Sequence, residues 1–171
     1  MKDHDSITKE FLTVYDNIAP TLFRHSVYKV SNREKALDLV QDTFTRTWEY
    51  LASGREITHL KAFLYRTLNN LIIDEYRKKK SDSLDVLLEA GFDAADEGAQ
   101  DRVSFSAEAR LAVAGIRQLP DTLREVMELR FVSGLDISEI SEIVGASQNT
   151  VSVRLTRGTE KLKNILHTSH T

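Results

Sequence analysis

The side chains best suited to chemistry in this sequence recognise rather than react. Asp38, Gln41, Asp42, Thr45 and Glu49 recur at spacings of three and four, so a helix through them carries carboxylates and an amide along one arc. That arc offers negative charge and acceptors, which suits a basic or polar partner. A second set, Arg66, Asn70 and Arg77, lies on one stripe of a later helix that closes with Arg77, Lys78, Lys79 and Lys80. Such a terminus either complements its own helix dipole or neutralises phosphates, and the residues alone leave both open. A third set gathers Gln148, Asn149, Thr150, Ser152, Val153, Arg154 and Arg157 behind the capping Ser147. Amides can pair with adenine, Arg with guanine or phosphate, and Val with a thymine methyl, so this set fits a major-groove reader better than a merely solvated stripe.

The elements that must position these sets follow from periodicity. Ile7, Phe11, Val14, Tyr15, Ile18, Leu22 and Phe23 mark a first helix, which Pro20 should kink or split. Ser31 to Glu34 has the form of a capping box, predicting a second helix from near Asn32, with Leu37, Val40, Phe44, Trp48 and Leu51 as its core stripe. A third helix is expected over 60–80, with Leu60, Phe63, Leu64, Thr67, Leu68 and Leu71 facing inward. From Ser81 to about Ser104 the helical period fades while Asp82, Asp85, Glu89, Asp93, Asp96, Glu97 and Asp101 accumulate, which reads as a solvated, self-repelling linker. Leu84, Val86, Leu87 and Leu88 would allow one amphipathic turn within it.

Beyond the linker, Ala109 to Leu119 predicts a helix that Pro120 stops, and a helix from Asp121 follows with Leu123, Val126, Met127, Arg130 and Phe131 inward. Asp136 and Glu139 form a cap-and-Glu start, with Ile140, Ile143 and Val144 as core positions and Gly145 as the left-handed turn residue. Val151, Leu155, Gly158 and Leu162 then line the inner side of a last helix. Spacing and chemistry together describe a helix-turn-helix. The expected architecture is all-α: a helical domain over residues 1–80, an acidic flexible linker over 81–106 and a second small domain over 107–171.

Charge supports that division. The chain carries a net −3. Residues 1–80 hold 14 Lys/Arg against 11 Asp/Glu, residues 81–108 hold 1 against 8, and residues 109–171 hold 8 against 7. The acidity sits in the middle, so a mildly acidic whole conceals two basic ends able to meet nucleic acid. With no Cys and no long apolar run, a disulfide scaffold, a thiolate site and a spanning helix are excluded. His167 and His170 have ligand-like spacing in a Ser/Thr-rich tail without a third partner. Neither a phosphate loop, a nucleophile elbow nor a catalytic carboxylate pair is present. The expectation is therefore a cytoplasmic non-enzyme with no metal, cofactor, small-molecule substrate or membrane insertion.

Three stretches carry a resemblance. Asp38-Leu39-Val40-Gln41-Asp42-Thr43-Phe44 leading to Trp48, Ala62-Phe63-Leu64-Tyr65-Arg66 leading through Asn70-Leu71 to Asp74 and Arg77-Lys78, and Gly134-Leu135 through Arg154-Leu155 resemble, in that order, three motifs of the extracytoplasmic-function (ECF) group of bacterial sigma factors. The resemblance implies that Asp38, Gln41, Asp42, Thr45 and Trp48 dock on the clamp coiled coil of core RNA polymerase, whose flap is a further contact. It implies that Arg55, Arg66, Asn70, Arg77, Lys78 and Lys79 meet the minus-10 promoter DNA, and that Ser147, Gln148, Asn149, Thr150, Ser152, Val153, Arg154 and Arg157 meet the minus-35 element. An anti-sigma partner is implied too. Departures stand out: Asp42 where Glu is usual, no aromatic in the loop 54–59 that should supply a base pocket, Ser152 for Lys, Asn149 for Gly, and Gly158 for Ala, the last costing roughly 1 kcal/mol of helix propensity. Two other readings stay open at this point: a stand-alone helix-turn-helix regulator with an N-terminal interaction domain, and a polymerase-binding decoy that never initiates.

Overall fold

A computed structural model of the chain describes residues 4–89 and 106–168. All regular structure among them is helical, in the order α1 (His4–Val30), α2 (Arg33–Ala52), α3 (Leu60–Glu89), α4 (Ala107–Arg117), α5 (Asp121–Phe131), α6 (Ile137–Val144) and α7 (Gln148–Thr168). The chain divides into two compact units, Met1–Arg102 and Val103–Thr171.

In the first unit α1, α2 and α3 pack on one another. Leu22, Leu64, Tyr65 and Leu68 have no exposed surface, and Ala36, Val40, Phe44, Leu71 and Ile72 complete the core. Burying such side chains stabilises by about 1.5–3 kcal/mol each. Pro20 neither splits α1 nor ends it. Its ring sits on the exposed side, and Leu22 and His25 to Tyr28 beyond it are buried, so packing on both sides of the proline outweighs the one lost backbone donor. The second helix begins one residue later than the expected box. Ser31 takes a left-handed φ of 53°, and Asn32 is the cap, its Oδ1 accepting from Lys35 N at 2.8 Å.

The inward stripe of α2 is also rotated from the expected one. Leu37 is 51% exposed, while Ala36, Leu39, Thr43 and Thr47 are buried beside Val40 and Phe44. Threonine can line a core here because Thr43 Oγ1 donates to Leu39 O and Thr47 Oγ1 to Thr43 O, each at 2.7 Å. A hydroxyl satisfied by its own helix presents mostly its methyl to the neighbours. The α1–α2 seam is aromatic: Phe11 meets Phe44 edge-on and Trp48 at 5.3 Å between ring centroids, and Tyr15 meets Phe44 at 4.5 Å.

The third helix does not end at Lys80 but continues to Glu89, so the first nine residues expected as linker are helical. Acidic side chains spaced three and four apart disfavour a helix only weakly, and the fading apolar period was a poor stop signal. The remainder of the expected linker, residues 90–105, lies outside the described residues.

The second unit packs α5 against α7 and α6, with α4 across α7 and α5. Ser106 caps α4, its Oγ accepting from Ala109 N, and the helix runs two residues earlier at each end than its apolar pattern suggested. On α5 the buried positions are Leu123, Val126, Met127, Glu128 and Leu129. Phe131, expected inward, is 60% exposed. Arg130, also expected inward, is exposed and instead donates from Nη1 to Leu135 O at 2.8 Å, pinning the turn after α5. Asp136 and Glu139 make a complete capping box for α6. Gly145, at φ 66°, ends α6 in the left-handed conformation where a side chain would be strained. Helix α7 continues through His167 to Thr168, so His167 is a helical residue, not part of a loose tail.

Candidate functional site

The acidic arc of α2 exists as one surface. Asp38, Gln41, Asp42, Thr45 and Glu49 are all exposed, and Trp48 is half-buried at the arc's edge, held by Phe11. Thr45 turns its hydroxyl back to Gln41 O at 3.0 Å, which leaves Gln41's side-chain amide and the carboxylates as the arc's outward polar groups. Lys35 borders it and bonds Glu75 of α3 at 2.9 Å. The hydrogen bond to Glu75 raises the Lys35 pKa above its ordinary 10.5, partial burial opposes it, and the charges of Glu75, Asp38 and Asp42 add to it. The arc therefore carries Asp38, Asp42 and Glu49 against Arg46, a net negative helix face for a cationic partner.

On α3 the residues Arg66, Asn70, Arg77, Lys78 and Lys79 are all exposed, and the spacing of Arg66, Asn70 and Arg77 puts them on one side of the helix. The neighbouring acids are engaged: Asp74 lies 3.8 Å from Arg77 and Glu75 bonds Lys35. His25 Nε2 of α1 meets Asn69 Oδ1 at 2.9 Å, which fixes α3 against α1 at the residue preceding Asn70.

Between α2 and α3 the structure supplies what the loop sequence lacks. Tyr50, near the end of α2, and Phe63, in the first turn of α3, approach to 4.9 Å between ring centroids. Arg55 from the loop stacks its guanidinium over Tyr50 at 5.0 Å. The residues 54–59 contain no Phe, Tyr or Trp, but two rings from the flanking helices stand beside them. Sequence reasoning missed both because Tyr50 and Phe63 are thirteen positions apart and look like core residues; no local signal marks them. Aromatic faces beside an arginine can stack unpaired bases.

In the second unit the outer side of α7 separates into two kinds of residue. Ser147 Oγ accepts from Thr150 N at 3.1 Å and meets Thr150 Oγ1 at 2.9 Å, so these two hold the helix start. Gln148 reaches Ser138 of α6 at 3.5 Å, bridging the turn. Asn149, Ser152, Val153 and Arg157 project outward and are exposed, with Arg154 half-buried at the side. From Gln148 to Arg157 the helix bears two Arg and no acid. The buried Val151 anchors the opposite side. This is the disposition of a recognition helix: one face packed, the other carrying short polar groups and arginine at the helix's N-terminal half.

Two helical units, one with an anionic helix face beside a cationic helix and the other a helix-turn-helix, define a class of DNA-binding transcription proteins. Known proteins make the class specific. Residues 14–81 match the family model for sigma-70 region 2, and residues 111–162 match that for sigma-70 region 4. RNA polymerase sigma factor SigZ of Bacillus subtilis is 30% identical over 155 residues, covering 90% of this chain and 85% of that protein. The ECF RNA polymerase sigma factor SigW of the same species is 28% identical over 165 residues, covering 91% and 88%. Among solved structures, the sigma factor RpoE from Bartonella quintana, in complex with the anti-sigma factor NepR, superposes with a TM-score of 0.65 at 26% identity, covering 93% of this chain and 98% of that one. The chain belongs to the ECF group of the sigma-70 family, and is a transcription initiation factor that works with core RNA polymerase at promoters.

Proposed function

We propose that the labour is divided among three faces. The α2 arc, through Asp38, Gln41, Asp42, Thr45 and Trp48, grips the clamp coiled coil of core polymerase. The α3 face and its preceding loop, through Arg55, Arg66, Asn70, Arg77, Lys78 and Lys79, engage and open the minus-10 element. The outer side of α7, through Asn149, Ser152, Val153 and Arg157 with Gln148 and Arg154 at its edges, reads the minus-35 element, while Ser147 and Thr150 serve chiefly as the helix cap. The domains that carry these faces are residues 1–80 and 107–171, with 81–106 as the connector, and the protein works in the cytoplasm without catalysing a reaction of its own. The observation that carries the reading is the opposition of sign: the exposed α2 arc is net negative, whereas the exposed side of α7 from Gln148 to Arg157 carries arginine and neutral groups and no acid.

An anti-sigma factor is the proposed regulator, supported by the complex in which the Bartonella relative was solved. It would cover the same faces and so compete with polymerase and promoter. A gel shift on promoter DNA with and without core enzyme tests the main reading. Promoter binding that requires core polymerase is the expected result. Strong binding by the chain alone to a palindromic site, unchanged by polymerase, would instead establish a stand-alone regulator.

A further inference from the structure

Helix α7 has to do two things with one rigid rod: present Gln148 to Arg157 to DNA and fix their height and roll through the remaining turns. Its C-terminal half is held by two unusually close fits. At Gly158 a methyl would stand 2.7 Å from Met127 Cγ and 2.9 Å from Met127 Sδ. Met127 of α5 is itself fully buried, and Thr159 Oγ1 touches its sulfur at 3.9 Å. At Gly115 of α4 the relation is reversed, since a methyl there would stand 2.5 Å from Leu162 Cδ1 of α7. One knob from α5 enters a notch in α7, and one knob from α7 enters a notch in α4. Approaches this close leave no slack for a methyl without moving a helix or a packed side chain.

Helix propensity argues against glycine at 158 by roughly 1 kcal/mol, so packing, not local preference, accounts for it. The Met127 notch begins one residue beyond Arg157. A shift of α7 away from α5 would therefore move the reading face itself, with no intervening segment to absorb it. We infer that the Met127–Gly158 fit is a positioning device that sets which DNA sequence α7 reads, by fixing how closely the recognition helix sits on α5. Gly158 and Met127 touch no DNA in this account; they act through Asn149, Val153 and Arg157. The inference rests on the proposed minus-35 reading of α7.

The test selects bound promoters from a library randomised over the minus-35 element, using the full chain with core polymerase. Wild type, Gly158→Ala, the double variant Gly158→Ala with Met127→Ala, and Asn149→Ala are run side by side. Gly158→Ala is expected to recover a different preferred element, and with it to bind the wild-type element about tenfold more weakly, the size of one mismatched base pair. The double variant, with the obstructing Cγ and Sδ removed, is expected to return to the wild-type preference. A device that merely stabilises the unit would lower the melting temperature of Gly158→Ala and leave the rank order of selected sequences unchanged, and that result overturns the inference. Should Gly158→Ala not fold, Met127→Leu keeps the glycine and reshapes only the knob, and an unchanged rank order there overturns it equally. Failure of the underlying reading looks different: wild type and Asn149→Ala would then recover the same sequences, and the inference falls with it.

Discussion

Helices α2 and α7 solve the same problem with opposite surfaces. Each packs one stripe into its own unit and leaves the other side exposed, but α2 shows Asp38, Asp42 and Glu49 outward where α7 shows Asn149, Val153 and Arg157. The mounts differ as well. The buried face of α2 is lined by Ala, Thr and aromatic contacts, with the threonine hydroxyls turned onto their own helix. That of α7 is narrowed to Val151 and Gly158. The comparison teaches that scaffold and partner choice are separable: amphipathic packing makes either helix, and the sign and shape of the exposed arc decide what it meets.

The largest expected effect comes from inverting that sign on α2. The double variant Asp38→Lys, Asp42→Lys should weaken association with core polymerase at least about a hundredfold, because like-charge juxtaposition costs several kcal/mol. Since both side chains are exposed, the thermal melt should hardly move; gel filtration with core enzyme reads the loss. On α7 the matching change is subtler. Asn149→Ala and Arg157→Ala should each cost about 1–3 kcal/mol of discrimination at one base position, read as relaxed preference in promoter selection, with polymerase association intact.

Smaller effects test the scaffold alone. Asp136→Ala removes one half of the α6 capping box and should destabilise the second unit by about 1 kcal/mol, a drop of roughly 4–8 °C in Tm for a unit of this size, while polymerase binding through α2 is retained. The smallest effect concerns Lys35. Its pKa is raised in the folded chain by the hydrogen bond to Glu75, so the ammonium form is favoured by folding. That contribution is fully present below pH 10.5 and is lost as pH rises through the folded value. Lys35→Met should therefore melt slightly lower than wild type at pH 8, and the gap should close on alkaline titration above pH 10.5.

Much of this was legible in the residues. The three polar sets on α2, α3 and α7, the helix-turn-helix and its Asp136 and Gly145 punctuation follow from spacing and caps, because these depend on a few neighbouring positions. What was hidden depends on tertiary context. Thr43 and Thr47 read as polar until their hydroxyls are seen to bond within α2, and so the predicted stripe leaned toward Leu37. Pro20 reads as a break, yet packing carries the helix through it. The charged run after Lys80 reads as linker, although nothing in it forbids a helix. Gly158 reads as a propensity defect and proves to be the space that Met127 fills. Tyr50 and Phe63 meet only after α2 and α3 fold back on one another.

Promoter opening tests the central claim most directly, since it requires the anionic and the cationic faces at once. Permanganate reactivity of unpaired thymines across the minus-10 element should appear only when the wild-type chain and core polymerase are both present, and should vanish with Asp38→Lys, Asp42→Lys. Equal reactivity with the charge-reversed variant would contradict the account.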